Sequence, residues 1–182
     1  MNIDKQRLPT KLLWVDLEMT GLDPAKHVII EVAAIITDFS FAEIARYEAI
    51  ISHPDVILDA ADEWPKAQHA ASGLTERVRS EGKPEQTVTQ EMTALIRKYF
   101  ADEPAILAGN SIHSDRKFIK QWWPDVEALL HYRMLDVSSL KVYMQGRYGL
   151  EYPKKDVHRA ADDIRASIAE WEYYMKWLKE ND

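Results

Sequence analysis

The chain contains no cysteine. Disulfides, thiolate zinc sites and cysteine nucleophiles are thereby excluded, and a reducing compartment is permitted. It also lacks any apolar run approaching the ~18 residues that cross a bilayer. The opening Met1-Asn2-Ile3-Asp4-Lys5-Gln6-Arg7 has no apolar segment behind its charges, so it does not read as a secretory signal. The expectation is a cytoplasmic protein with no membrane partner. Nor is there an excess of basic charge: 23 Lys and Arg face 30 Asp and Glu, for a formal net charge of −7. Proteins that track long nucleic acid carry a basic footprint, because phosphate neutralisation supplies most of their affinity. A long duplex is therefore not an expected partner. Any nucleic acid must be gripped locally, by bound metal and a few placed residues. Internal repeats, low-complexity tracts and Gly/Ser linkers are missing. So are a phosphate-cradling Gly-rich loop, a Ser-His-Asp arrangement and a cofactor fingerprint. The 182 residues that remain are close to half hydrophobic, enough for a sizeable core. They read as a single domain over 1–182, with residues 1–10 as an N-terminal extension.

The pattern of what is present predicts an α/β domain with a mixed sheet flanked by helices. Residues 11–19 read as a strand, and the apolar run Val28–Ile36 as a second, central one. A third over 43–51 completes an antiparallel meander. A helical middle follows, in which Val88, Met92, Leu95, Ile96, Tyr99 and Phe100 recur at helical spacing. Ala105–Ala108 is a short strand ending at Gly109-Asn110, followed by a helix over about 113–122. Met134–Val137 reads as a last strand and 138–147 as a helix. In the final helix Ala161, Ile164, Ile168, Trp171, Met175 and Leu178 form an apolar stripe. The extra aromatics there (Trp171, Tyr173, Tyr174, Trp177) exceed what one stripe buries and predict a self-association surface nearby.

Several acids stand where acids are costly. Asp16 and Glu18 alternate with apolar residues in the first strand, so both carboxylates share one face. Two like charges that close raise each other's pKa unless a cation stands between them. A hard divalent ion with oxygen ligands serves that purpose. Asp115 lies three and four residues before Phe118 and Ile119, on the inward face of its helix. An acid in a first helical turn can also be a plain dipole partner. In His158-Arg159-Ala160-Ala161-Asp162-Asp163-Ile164, Asp163 sits on the flank of the apolar stripe. Asp162 points away from the stripe, as a solvated neighbour. His158 cannot share Asp163's face if both are helical, and is read as lying on the preceding loop. Four carboxylates and a histidine fit two divalent metals roughly 3.5–4 Å apart that clamp a phosphodiester, with histidine taking a proton from water. Mg²⁺ or Mn²⁺ suits such an all-oxygen site. The reaction class is metal-dependent phosphodiester hydrolysis.

These residues resemble a known family. The order Asp-x-Glu, distant Asp, His-x-x-x-x-Asp is similar to the exonuclease superfamily with an Asp-Glu-Asp-Asp site and a histidine base, and more closely to the oligoribonucleases. Four segments carry the likeness: Leu13–Pro24, Gly109–Ile119, Tyr132–Ser139 and His158–Arg165. The resemblance implies an RNase H-like fold and a homodimeric, Mg²⁺- or Mn²⁺-dependent 3′-to-5′ exoribonuclease. Its substrates would be short RNA oligonucleotides, especially dinucleotides, cut to nucleoside 5′-monophosphates. Asp16, Glu18, Asp115 and Asp163 would hold metal, and His158 would be the base. Leu22 would wedge against bases, Trp64 would stack on one, and His69 would lie nearby. Ser111, Arg133 and Ser138 would cap the 5′ end, joined by Tyr132 of a second copy.

Two other readings stay open. One is a proofreading-type DNA exonuclease or a tRNA-trimming relative, against which stand the short length, the missing basic segment and the Tyr132–Ser138 motif. The other is a catalytically dead binding module, against which stands the intact carboxylate and histidine set.

Overall fold

A strand with Leu12, Leu13, Trp14, Val15 and Leu17 all buried must be covered on both faces. The computed structural model, which describes residues 10–101, 103–153 and 160–181, places that strand at the centre of a five-stranded sheet. β1 (Lys11–Met19) pairs antiparallel with β2 (Ile29–Asp38), which pairs antiparallel with β3 (Glu43–Ile50). Charged Glu43, Arg46 and Glu48 line β3, a composition that discourages pairing at an open sheet edge.

The chain then crosses through α1 (Asp55–Asp59), α2 (Glu63–Ala71), α3 (Leu74–Glu81) and α4 (Glu85–Phe100). It returns as β4 (Ala105–Gly109), parallel to β1. α5 (His113–Trp122) and α6 (Pro124–Glu127) lead to β5 (Leu130–Asp136), parallel to β4. The strand order is β3-β2-β1-β4-β5. α7 (Val137–Tyr148) and α8 (Ala160–Asn181) follow. The last strand begins at Leu130 rather than Met134, because its outer residues Tyr132, Arg133 and Met134 are exposed and give no apolar run.

Strand alternation divides the core in two. Leu13, Val15 and Leu17 pack with Val88, Met92, Ile96 and Phe100 of α4 and with Phe118 and Ile119 of α5. Leu12 and Trp14 face the other way, against Val137 of α7 and Ile164 of α8. Each fully buried aliphatic of α4 contributes about 1.5–3 kcal/mol of burial. Trp14 meets its polar obligation by donating Nε1–H to Thr37 Oγ1 at 3.0 Å.

The face of α8 differs from the expected stripe. Met175 is exposed, and Ser167, Glu170 and Tyr174 are buried instead. The buried positions thus include polar groups that an apolar periodicity passes over. The surplus aromatics also find partners within the chain. Trp171 packs on the core, Tyr173 lies against Tyr152 and Tyr174, and Trp177 lies against Tyr148. Several exposed apolar side chains lie on β5 and α7, namely Tyr132, Met134, Val142, Tyr143 and Tyr148. Among the described residues no helix is long and apolar enough to cross a membrane.

Candidate active site

Even-numbered residues of β1 continue past Leu12 and Trp14 into Asp16 and Glu18, on the sheet face that α8 covers. β4 stops at Gly109, so β1 runs on beyond its parallel neighbour after the Trp14–Ala108 pair. The backbone exposed there is taken up by a side chain: Leu17 N–H donates to Asp115 Oδ1 at 3.0 Å. That bond brings α5's acid to the end of β1. Gly109 makes the approach possible, since a Cβ there would stand 2.9 Å from the Val15 carbonyl oxygen. A bulge between Glu18 and Met19 shifts the β1–β2 register at this point, a device that re-aims side chains beside functional sites.

Electrostatics joins the acids into one cluster. Burial holds Asp16 well above the ordinary carboxylate range, and the charged groups Asp115, Glu18, Asp163 and Glu31 push it further the same way. All four are carboxylates. Asp115 is only 7% exposed, and burial pushes its carboxyl up to about 7, opposed by the Leu17 N–H and its own backbone N–H. Such a set is repulsive as it stands and is compatible with hard divalent cations. Among the described residues no group of three or more His, Asp or Glu side chains is spaced to hold a metal ion.

One wall of the site descends from the turn after β1. Asp62 N–H donates to the Thr20 carbonyl at 2.8 Å, and Asp62 stands 3.4 Å from His27 Nε2. Gly21 is wedged between them; a Cβ would run into the Asp62 carboxylate and the His27 ring. This tight turn leaves Leu22 82% exposed. Trp64 stands 70% exposed in the first turn of α2. From the last turn of α2, buried His69 places Nε2 3.0 Å from Glu18 Oε2. A cavity of ≈ 260 Å³ beside Glu18 is lined by Glu31, Trp64, Gln68, His69, Arg77, Asp162 and Arg165, among others. Asp162 is at the rim of this space, its side chain 47% exposed and paired with Arg165 at 3.4 Å, in keeping with a solvated neighbour.

The other wall is polar. Ser111, held at a positive φ of 53°, puts Oγ 2.9 Å from Ser138 Oγ. Asp136 Oδ1 accepts the Ser111 N–H at 3.0 Å and the Ser138 N–H at 2.9 Å, and Ser138 Oγ also donates to Asn110 Oδ1. Asp136 therefore caps α7 and clamps two separate segments. Its charge reaches Asp115, which places this wall beside the acid cluster. Just upstream on the edge strand, the Arg133 guanidinium lies 5.2 Å from the Tyr132 ring centroid, and Tyr132 itself is 61% exposed.

The structure therefore brings Asp16, Glu18, Asp115, Asp163 and His69 together. Trp64 lines the cavity beside Glu18, and Ser111 and Ser138 are held by Asp136, whose charge reaches Asp115. His158 lies outside the described residues. Two residues were missed from the sequence. Asp136 carried a readable signal, as an Asp directly ahead of a helix. Glu31, paired in register with Glu18 across β1 and β2, carried the same signal as Asp16: an acid inside an apolar strand.

Comparison with known proteins bears on this site. A family model described as RNase T, an exonuclease, matches residues 13–171. The oligoribonuclease of Halorhodospira halophila is 42% identical over 170 residues, covering 91% of this chain and 92% of that protein. That of Francisella tularensis is 43% identical over 169 residues, covering 92% and 95%. Among solved structures, Escherichia coli exonuclease I in complex with a dT13 oligonucleotide superposes with a TM-score of 0.67 at 19% identity, over 91% of this chain. The zinc-bound form of that enzyme with single-stranded DNA gives 0.69 at 17% identity, over 96%. This chain spans about two fifths of the exonuclease I chains, 41% and 42%, and at those identities the likeness establishes the fold. The mixed five-stranded sheet is thus the RNase H-like sheet of exonuclease I, and the chain belongs to the oligoribonuclease family of exonucleases.

Proposed function

We propose that this 3′-to-5′ exoribonuclease of short RNA favours dinucleotides, and that it cuts them with two divalent cations and a histidine base. The observation that carries the reading is the mutually repelling, partly buried carboxylate set around Asp16. Asp16, Glu18, Asp115 and Asp163 would hold Mg²⁺ or Mn²⁺, which when bound neutralises charge on the attacking and leaving oxygens of the phosphodiester. The chain's own groups do the rest. His158 takes the proton of the attacking water. The new P–O bond forms as the bond to the 3′ oxygen of the preceding nucleotide breaks. A nucleoside 5′-monophosphate leaves, and the shortened RNA keeps a 3′ hydroxyl. His69 holds Glu18 through its 3.0 Å contact, fixing which carboxylate oxygen is turned inward.

Leu22 and Trp64 are large apolar side chains with little packed against them, as a surface that receives bases requires. One stacked base contributes ~1–3 kcal/mol. Ser111 and Ser138, set by Asp136, and Arg133 would meet the 5′ end of a dinucleotide. An end cap of this kind measures substrate length, while the acidic balance of the chain disfavours long polyanions. Arg133→Ala will reduce hydrolysis of a ribodinucleotide roughly tenfold, the worth of one charge-assisted hydrogen bond, while a heptanucleotide loses much less. Rates on the two substrates check this, and an unchanged dinucleotide preference would overturn the cap.

The exposed apolar groups of β5 and α7 support a homodimer in which a second copy brings Tyr132 to the site. Sedimentation equilibrium is expected to return twice the chain mass. A monomer with full dinucleotide activity would contradict that assignment.

A further inference from the structure

His27, in the turn between β1 and β2, is buried, and each polar part of it has a partner. Its backbone N–H donates to the Asp23 carbonyl at 2.9 Å, and its carbonyl accepts Trp122 Nε1–H at 2.9 Å. The ring lies between two further groups. Nδ1 stands 3.3 Å from Thr20 Oγ1, and Nε2 stands 3.4 Å from Asp62 Oδ2. Thr20 Oγ1 already accepts the Val28 N–H at 3.1 Å, so its own hydrogen turns to Nδ1. In the neutral ring that arrangement puts the hydrogen on Nε2, facing the Asp62 carboxylate.

Asp62 is the N-cap of α2, yet its side chain makes no capping hydrogen bond. An Asp in that position ordinarily accepts from the second or third N–H of its helix. Here the carboxylate faces His27 instead, while the Asp62 N–H reaches the Thr20 carbonyl at 2.8 Å. Gly21 fits into the same contact so closely that a Cβ would fall 2.4 Å from Asp62 Oδ2 and 2.5 Å from His27 Nε2. Leu22 is the next residue of the turn, and Trp64 comes two residues after Asp62. Both are exposed, and among the described residues neither packs into a core cluster that would fix it. With its Asp62 side chain 56% exposed, the His27–Asp62 pair contributes little to stability. What it joins are the two segments that carry Leu22 and Trp64.

We propose that His27 and Asp62 are positioning residues for base recognition. By locking the Thr20–Gly21 turn to the start of α2, they fix where Leu22 and Trp64 stand relative to each other before substrate arrives. A surface set in advance spares the ordering cost that binding would otherwise carry. The proposal rests on the reading of Leu22 and Trp64 as base contacts. It predicts an effect on substrate affinity and not on turnover or metal binding, because neither His27 nor Asp62 is assigned to the chemistry or to the cations.

Asp62→Ala removes an exposed carboxylate that caps nothing, so Tm should stay near wild type. The expected result is a KM on a ribodinucleotide raised roughly five- to tenfold, the low end of what one base stack is worth. The kcat and the Mn²⁺ concentration giving half-maximal rate should not move. Loss of charge alone predicts the opposite sign, because removing an acid favours a polyanion. Asp62→Asn, which keeps an oxygen to face Nε2, should retain the wild-type KM. His27→Phe, which keeps a ring and loses both nitrogens, should raise KM as Asp62→Ala does. The decisive arm is a double-mutant cycle. In a Trp64→Ala background, Asp62→Ala should cost nothing further. An equal fold-loss with and without Trp64 overturns the proposal, as does an unchanged KM or a change confined to kcat or metal dependence. Should Trp64→Ala alone keep wild-type KM, the stacking reading itself fails, and that outcome is distinct from a failed cycle.

Discussion

Asp16→Asn will leave the chain folded and lower its rate on a ribodinucleotide by on the order of 10³-fold or more, the scale of losing a preorganised charge-stabilising group. The argument is positional. Asp16 stands where the charges of Glu18, Asp115, Asp163 and Glu31 converge, so its carboxylate is the one best placed to serve more than one cation. The same substitution should stabilise the metal-free protein at pH 8. It removes one charge from a mutually repelling set and keeps the side chain's shape. Activity and stability therefore move in opposite directions, which ordinary loss of packing does not produce. Paired measurements of kcat and Tm in chelator check both halves. A fall in both would mean that Asp16 acts chiefly in holding the fold.

Divalent metal should raise Tm by several degrees at pH 8 and scarcely at all at pH 5. The sign follows from the shifted carboxyls. Asp16 and Asp115 have folded-state pKa values above those of an unfolded carboxyl, the latter raised to about 7. The folded state then binds protons more tightly than the unfolded one. This contribution to stability is complete below about pH 4 and drains as pH rises through the folded values. A cation restores at high pH what deprotonation removed, and at low pH it must displace protons from its own ligands. At a concentration a hundredfold above Kd the gain is about 2.7 kcal/mol. For a chain of this size that corresponds to roughly 5–11 °C. Melting curves with and without Mn²⁺ at the two pH values test this. Equal shifts at both would separate the cation from these carboxyls, and Asp115→Asn should flatten the pH dependence of the metal-free form.

Much of this site was legible because it violates local rules. Asp16 and Glu18 flank buried Leu17 in a strand buried from Leu12 to Val15, and Asp115 lies on the inward face of α5. Period-two and period-3.6 patterns expose such residues directly. The central strands, α4 and α5 followed from the same patterns. Less was legible where burial is polar or exposure is apolar. The inward positions of α8 hold Ser167, Glu170 and Tyr174, which the hydrophobic periodicity cannot report, so Met175 took a place it does not occupy. β5 was started late because its exposed face carries Tyr132, Arg133 and Met134. Contacts such as Asp136 with Ser111 join residues twenty-five positions apart and depend on tertiary closure. The substrate-side roles of Leu22, Trp64 and Arg133 came from family likeness. Their exposure, or in Arg133 the stacking on Tyr132, is consistent with it.

The central claim is that the carboxylates clustered at the end of β1 hold cations that cleave short RNA from its 3′ end. A time course on 5′-labelled di- to heptaribonucleotides in Mg²⁺, Mn²⁺ or chelator tests it most directly. The account predicts stepwise loss of single nucleotides from the 3′ end, fastest on the dinucleotide and abolished by chelator. Hydrolysis that persists in chelator, or internal cleavage that skips the 3′ end, would contradict it.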